Sequence, residues 1–476
     1  MTRTLVYPMI AAMLLAGCAA VPHVQPQVAQ VAPEGVGLDA GAATIDARWW
    51  TAFGDPQLDR LVAMGLAGNP TLDQALARVR GAEAQIEVEH AGLLPRINGS
   101  AQVSRALIGE KAFPPPLGAN NVNLGLAGAS LSWDLDLFGR QRSAVREAAA
   151  SADAARYDVA AARLMVSVSI AQTYVGLARA EKLIEVADGF VATRQRALGF
   201  TQSRIKNQLA SKFNLDQAKT LLAEAQQART QAVQQRDVLV HALAALAGRG
   251  ADFYPEIVKP ALALDRAPQV PELLPADLLG RRPDLLAGQA RIEAAVQGRQ
   301  VARRAFLPDV DISALGGIAA AGLGNLFTSG AGSYAVGPAL SLPIFEGGKL
   351  RADYKGATAD LDGAVASYND NVLGAVREAA DAISNVRSTD QDLADEGHIV
   401  QGLRDTVSLD QVRTRTGLGS QLDAVDSGFR LLEAEQNLVG LQADALTRRI
   451  QLVAALGGGF DPHQPLVAAS VSDTHS

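Results

Sequence analysis

The sequence of 476 residues contains one cysteine, Cys18, so no internal disulfide can form and no site built on cysteine ligands is available. Its six histidines, His23, His90, His241, His398, His463 and His475, are scattered without ligand spacing, and neither a nucleophile elbow nor a phosphate-binding glycine loop occurs. These absences point away from an enzyme and away from any cofactor or metal. Only Met64 and Met165 lie beyond the first seventeen residues, too few to line a path for a soft metal ion. Net charge is −7 without a basic run, which excludes a nucleic-acid partner. Aromatic residues make up only 5% of the chain while alanine abounds, a composition that suits helices packed closely over long distances. Beyond residue 17 no segment reads as long and apolar enough for a transmembrane helix, so any membrane crossing has to use strands.

Proline is also missing from two long intervals, between Pro116 and Pro255 and between Pro343 and Pro462. In the second, Val365, Val372, Ala379, Val386, Leu393, Val400 and Val407 recur every seven residues, the seam of a coiled coil. A helix from Lys349 to about Thr414 would be roughly 100 Å long at 1.5 Å per residue. Gly417 and Gly419 break it, and Val425, Leu432, Val439, Leu446 and Val453 begin a returning series, so the unit is a helical hairpin. The first interval repeats it, with Val145, Ala152, Val159 and Val166 going out and Ala218, Ala225, Ala232, Leu239 and Leu246 coming back.

The whole chain is a duplication. Pro70, Arg78, Ala82, Leu94 and Pro95 recur as Pro283, Arg291, Ala295, Leu307 and Pro308, an offset of 213. Leu131, Ser132, Gly139, Arg142, Leu209, Ser211 and Gly248 recur as Leu340, Ser341, Gly348, Arg351, Leu418, Ser420 and Gly457, an offset of 209. Copy one therefore carries four extra residues, placed around Phe113–Gly118 where a surface loop absorbs them. The expected organisation is repeat 1 over 48–248, a Pro-rich linker over 249–280, repeat 2 over 281–457 and a tail over 458–476. Each repeat should hold a β-hairpin, about 96–138 and 309–346, and a long helical hairpin, about 140–248 and 349–457. Asp55-Pro56 and Asn69-Pro70 read as cap-plus-proline helix starts.

The strand signal is clearest where Ala129, Leu131, Trp133, Leu135 and Leu137 alternate with Ser130, Ser132, Asp134 and Asp136. In copy two, Tyr334, Val336, Leu340, Leu342 and Ile344 alternate with small residues. Four strands cannot close a barrel, so several chains around a symmetry axis would have to share one. At the amino terminus Arg3 and the apolar run Leu5–Leu15 form a signal peptide over 1–17, ending in Leu15-Ala16-Gly17-Cys18. That ending resembles a lipobox, which makes Cys18 the lipid-attachment site, and Ala19 after it favours the outer membrane. Residues 18–47, rich in Val, Gln, Pro and Ala, read as an extended tether that packs little.

The lipobox, Phe53-Gly54-Asp55-Pro56-Gln57-Leu58, Leu94-Pro95, the run Leu131-Ser132-Trp133-Asp134-Leu135-Asp136-Leu137-Phe138-Gly139-Arg140, Arg282-Pro283-Asp284 and Leu342-Pro343-Ile344-Phe345-Glu346-Gly347-Gly348 stand in order. Together they resemble the TolC-like outer-membrane efflux factors, in particular the NodT-type lipoprotein branch that serves resistance-nodulation-division pumps, over essentially the whole mature chain. The resemblance implies an α+β membrane protein. Three chains would share one outer-membrane β-barrel, four strands each, continuous with a periplasmic α-helical coiled-coil barrel. It implies a passive exit duct for drugs or other small toxic compounds, with a periplasmic adaptor, an inner-membrane pump and outer-membrane lipid as partners. The helix tips, with Leu209, Ala210, Ser211, Gly417, Leu418, Gly419 and Ser420, would dock the adaptor, and glycine there permits tight reversal. Asp423 and Asp426, with Asn214 at the copy-one position, match the family's periplasmic constriction. Acids in a first helical turn also complement the helix dipole, and that reading stays open beside the gate. A lipid-anchored coiled-coil scaffold without a channel is the alternative function, against which the alternating strands argue.

Overall fold

In the computed structural model, residues 21–32, 45–107, 121–266 and 280–461 are described. Cys18, the signal peptide and the Phe113–Gly118 loop lie outside these residues. The elements are helices α1 (Pro56–Gly68) and α2 (Pro70–Ala91), strands β1 (Arg96–Leu107) and β2 (Asn121–Asp134), and helices α3 (Arg140–Lys206) and α4 (Lys212–Leu246). Then follow α5 (Pro283–Arg304), β3 (Asp309–Ala321), β4 (Gly332–Ser341), α6 (Lys349–Arg415) and α7 (Gln421–Ala455). Both α3 and α6 have 67 residues, and both α4 and α7 have 35, so the repeat is written in the element lengths.

The chain divides into two compact units. The first takes residues up to Gln30, Arg78–Ala155 and Gly288–Tyr368. Its sheet is antiparallel in the order β1-β2-β3-β4. Arg96 pairs with Ser132 and Asp309 with Ser341, positions related by the offsets of 213 and 209, so the four extra residues of copy one fall in the β1–β2 loop. Cross-strand partners share a face. One face gathers Ile97, Val103, Leu131, Trp133, Ala314, Val336 and Leu340; the other is mixed, with Asn98, Ser100, Gln102, Ser130, Ser132 and Ser313 beside Leu124, Leu126 and Leu315. On the apolar face Ile97, Val103, Val336 and Leu340 are all more than 60% exposed.

The alternation in the sequence runs on to Leu137, but β2 stops at Asp134. Asp136 has φ 45° and turns the chain into α3. Its carboxylate accepts from the backbone N–H of Gln141 (2.9 Å) and Arg142 (3.0 Å), groups a helix start leaves unsatisfied, and from the side-chain Nε of Arg142 (2.9 Å). Burial alone would raise this carboxyl; those hydrogen bonds and the Arg142 charge outweigh it and hold Asp136 below its ordinary value.

Within the amino-terminal segment, residues 21–32 are held rather than loose, which corrects for them the expectation that the tether packs little. Asp362 Oδ1 accepts from the backbone N–H of Gln27 (2.8 Å) and Val28 (3.1 Å). Arg299, itself bonded to Tyr354 Oη (2.6 Å) and Thr358 Oγ1 (3.1 Å), donates to Val24 O (2.9 Å). The extended segment thus uses α5 and α6 side chains to satisfy backbone groups that have no sheet partner.

The second unit takes Val31–Ala77, Arg156–Ala287 and Asn369 onward. Its core packs Trp49, Trp50, Leu58, Leu61 and Val62 against Ile170, Tyr174, Leu177, Leu243, Leu446 and Ile450. One stretch of α3 is long and apolar enough, by composition, to cross a membrane, contrary to the sequence reading, and half of it is buried within the chain. Val166, Ile170, Ala171, Tyr174 and Leu177 of α3 belong to this core, which accounts for the apolarity. Asp55 caps α1 by accepting from Gln57 N–H (2.9 Å), and it also accepts from Tyr174 Oη (2.7 Å) and Ala261 N–H (2.9 Å). Burial, and the Asp55 carboxylate, push the Tyr174 phenol well above its usual range, so it is a permanent donor. The described part of the linker packs into the same core, where Phe253, Ile257, Leu262 and Leu264 are buried.

The duplication reaches single hydrogen bonds. Asn69 Nδ2 donates to Leu246 O (2.9 Å), and Arg282 Nη1 donates to Ala455 O (2.9 Å). Donors are 213 apart and acceptors 209, so each returning helix has its C-terminal carbonyl satisfied by the residue preceding a helix-opening proline. Arg282 also reaches Asp284 (2.8 Å) and Glu378 (3.0 Å). Burial opposes its charge, yet those carboxylates raise its pKa.

Candidate functional site

The helical hairpins are antiparallel and in fixed register. Arg449 pairs with Asp390 (2.9 Å) and Arg404 with Glu435 (3.0 Å), fourteen residues forward on α6 matching fourteen back on α7. Asp188 with Arg229 and Glu181 with Arg236 do the same for α3 and α4. Along α6 the heptad residues Val365, Val372, Ala379, Val386 and Val400 are buried, as a seam requires.

Each hairpin turns at its tip by the same two devices. At the first, Leu209 N–H bonds Arg204 O (2.8 Å) and Gln208 N–H bonds Ile205 O (2.9 Å); at the second, Leu418 N–H bonds Arg413 O (2.8 Å) and Gly417 N–H bonds Thr414 O (3.3 Å). Both are Schellman endings, in which the residue after the helix takes a left-handed conformation. That residue is Gly417 (φ 78°) at the second tip but Gln208 (φ 60°) at the first. The expectation of glycine at the reversal therefore holds at one tip only. Ser211 then caps α4 in a capping box with Asn214: Asn214 N–H donates to Ser211 Oγ (3.4 Å) and Ser211 N–H to Asn214 Oδ1 (3.0 Å).

Asp423, the repeat partner of Asn214, accepts from Ser420 N–H (3.4 Å), so two of the three predicted gate residues make capping bonds at helix starts. Asp426, one turn on, pairs with Arg430 at 3.1 Å, and both side chains are about two-thirds exposed. A pair so exposed is worth little in stability, at most about 1 kcal/mol. Leu209 and Leu418 are 66% and 75% exposed, offering an apolar residue at each tip. Phe213, 74% exposed beside the first tip, was not singled out by the sequence reading.

Sequence reasoning also missed a cluster that α3 and α7 build behind the tips. The guanidinium carbon of Arg194 lies 3.4 Å from the centroid of the Phe429 ring, and Phe190 stacks on the same ring with centroids 6.2 Å apart at 14°. Phe190 and Arg194 are four apart on one helix, and that spacing was the available signal. Among the described residues no group of His, Cys, Asp or Glu is placed to hold a metal ion.

A sheet with one exposed apolar face, carried in a duplicated chain with paired helices of this length, defines a class: a membrane channel subunit built on strands. Comparison with known proteins specifies it. The outer membrane efflux protein family matches residues 61–249 and 274–458. The fusaric acid resistance protein FusA of Burkholderia cepacia is 32% identical over 94% of this chain and 87% of its own. The outer membrane protein VceC of Vibrio cholerae, a solved structure, is 31% identical with a TM-score of 0.80, over 87% of this chain and all of its own. The CmeC outer membrane channel of Campylobacter jejuni shares the fold, with a TM-score of 0.83 at 22% identity over 94% of this chain and 96% of its own. The chain belongs to the outer membrane efflux protein family. Its place is the outer membrane and its work is efflux.

Proposed function

We propose that the chain is the exit duct of a tripartite efflux pump. It acts as a homotrimer that receives drugs or other small toxic compounds from an inner-membrane pump of the resistance-nodulation-division type through a periplasmic adaptor. The observation that carries this reading is the four-stranded sheet with its apolar face exposed. Among the described residues its outer strands β1 and β4 each have one strand neighbour, and open edges in lipid are prohibitive unless another chain pairs with them. Three copies would bring twelve strands, enough to close a barrel around a polar lumen. A soluble coiled-coil scaffold has no use for such a face.

In this reading Cys18 carries the lipid, and the tips at Leu209–Ser211 and Gly417–Ser420 meet the adaptor. Asp423 and Asp426 form carboxylate rings that narrow the periplasmic opening, while Asn214 contributes no charge. The duct performs no catalysis and needs no cofactor, since the pump supplies the energy. The test has two parts. Protein extracted from outer membranes in detergent should be a trimer by light scattering and an elongated particle in negative stain; a monomer that stays soluble without detergent, once its lipid is removed, overturns the channel. In planar bilayers, Asp423→Ala with Asp426→Ala should raise the resting ion conductance, and unchanged conductance overturns the gate.

A further inference from the structure

The Arg194 cluster has no part in the duct as described so far, and its geometry is specific. A guanidinium carbon 3.4 Å from a ring centroid is in direct contact with the ring face, and Phe190 lies against the same ring. Phe429 is therefore gripped by two side chains one helical turn apart on α3. The grip extends a line of α3–α7 contacts that runs toward the tips. Arg179 pairs with Asp444 at 3.5 Å; a Cβ on Gly189 would stand 3.1 Å from Leu432; then Phe190 and Arg194 meet Phe429. Each step forward on α3 is matched by a step back on α7, as for two helices zipped antiparallel.

Phe429 lies three residues after Asp426, on the same turn of α7. Whatever fixes the Phe429 ring therefore fixes the rotation of α7 at Asp426 and, one turn further, at Asp423. Partial burial weakens the Arg194 cation, and the Glu224 and Asp426 carboxylates act against that loss, so α4 and α7 both supply charge to keep it in place. A guanidinium suits this position better than an ammonium, being planar, weakly hydrated and able to stack while its edge faces a carboxylate.

We propose that Arg194 and Phe190 of α3 form a clasp on Phe429 of α7 that holds the Asp423–Asp426 segment to the first helical hairpin of the same chain and so sets the width of the resting aperture. Arg194 is a positioning residue for the gate, and the inference rests on the gate reading given above. Opening then requires Phe429 to leave the clasp, within a protomer, whatever contacts between protomers also break.

The test is single-channel conductance of the purified full-length protein in planar bilayers, with assembly checked by light scattering. Arg194→Ala and Phe429→Leu should each raise the resting conductance or open probability on the order of threefold to tenfold, the scale on which a partly desolvated cation–ring contact shifts an equilibrium. Their combination should do no more than either alone. Phe429→Tyr, which keeps the ring face, should behave as the parent protein, and Arg194→Lys, which keeps charge but loses the stacking plane, should give an intermediate rise. If Arg194→Ala does not assemble, Phe429→Leu and Arg194→Lys carry the same test. Parent-like conductance for assembled Arg194→Ala or Phe429→Leu, or additive effects in the combination, overturns the clasp. The Asp423→Ala, Asp426→Ala channel separates the two ideas. If it opens while the clasp variants do not, the gate stands and the clasp falls; if the clasp variants open while it does not, the acids are not the constriction, and the role of Arg194 as a positioning residue for the gate falls with them while its hold on Phe429 remains.

Discussion

Replacing Gln208 by glycine should strengthen the first helix tip. Gln208 holds φ 60° at the end of α3, where the second tip has Gly417 at φ 78°. A residue with a Cβ in the left-handed region gives up roughly 1–2 kcal/mol. Glycine removes that strain but adds about 0.5–1 kcal/mol of backbone freedom to the unfolded tip. The net gain is about 0.5–1 kcal/mol, or roughly a two- to fivefold shift in the local opening equilibrium. The reporter is the Leu209 N–H, which bonds Arg204 O at 2.8 Å and can exchange only when the Schellman ending opens. Hydrogen exchange of the peptide around residues 200–215 should slow two- to fivefold in Gln208→Gly. The reciprocal Gly417→Gln should speed exchange at Leu418 by a similar factor. Faster exchange in Gln208→Gly would refute the argument, because it would mean that the glutamine side chain contributes more to the tip than its backbone strain costs.

Arg282→Leu should destabilise the second unit by about 2–3 kcal/mol in thermal unfolding, less than a fully buried pair because Asp284 and Glu378 are half exposed; Arg282→Asn should recover part of this by donating to Ala455 O as Asn69 does to Leu246 O. Asp136 has a carboxyl held below its ordinary value, so its contribution is complete above the unfolded carboxylate range near pH 4 and is lost as pH falls through the lower folded value. Acid should therefore loosen the β2–α3 turn, seen as faster exchange in a peptide over 134–143 relative to the rest of α3, and Asp136→Asn should show that looseness at neutral pH. Asp362→Ala removes the acceptor of two backbone N–H groups, so proteinase K should cleave within 21–31 several times faster than in the parent; an unchanged rate would show that the remaining hydrogen bonds, from Arg299 to Val24 O and from Val31 N–H to Asn369 Oδ1, are enough to hold the segment.

Helices and strands were legible because their signals are local. The seven-residue recurrence from Val365 to Val407, the two proline-free intervals and the alternation before Asp134 each depend on residues within a few positions of one another. Five of the seven seam residues they imply are buried along α6 and Leu393 and Val407 are half-buried, and the helix starts at Pro56, Pro70 and Pro283 follow from proline's missing N–H and fixed φ. At the helix tips the sequence shows which positions correspond but not what they bond. Asn214 and Asp423 stand at matching places in the two repeats, yet their capping bonds to Ser211 and Ser420 depend on the chain reversing where it does. Alternation alone could not say where β2 ends, since Leu135 and Leu137 continue the pattern while Asp136 turns the backbone.

By itself the sequence determined the duplication, the strand and helix periods and the offset that moves from 213 to 209, because these are regularities along one dimension. Tertiary structure alone decided which carbonyl Asn69 and Arg282 would satisfy, that Asp362 would hold the amino-terminal segment, and that Arg194 would stack on Phe429. Those pairs join residues separated by 173 to 335 positions, and a hydrogen bond or a stacked ring is set by distance and angle within a few tenths of an ångström. No periodicity encodes such contacts; they exist only once helices of fixed length and register have been laid side by side.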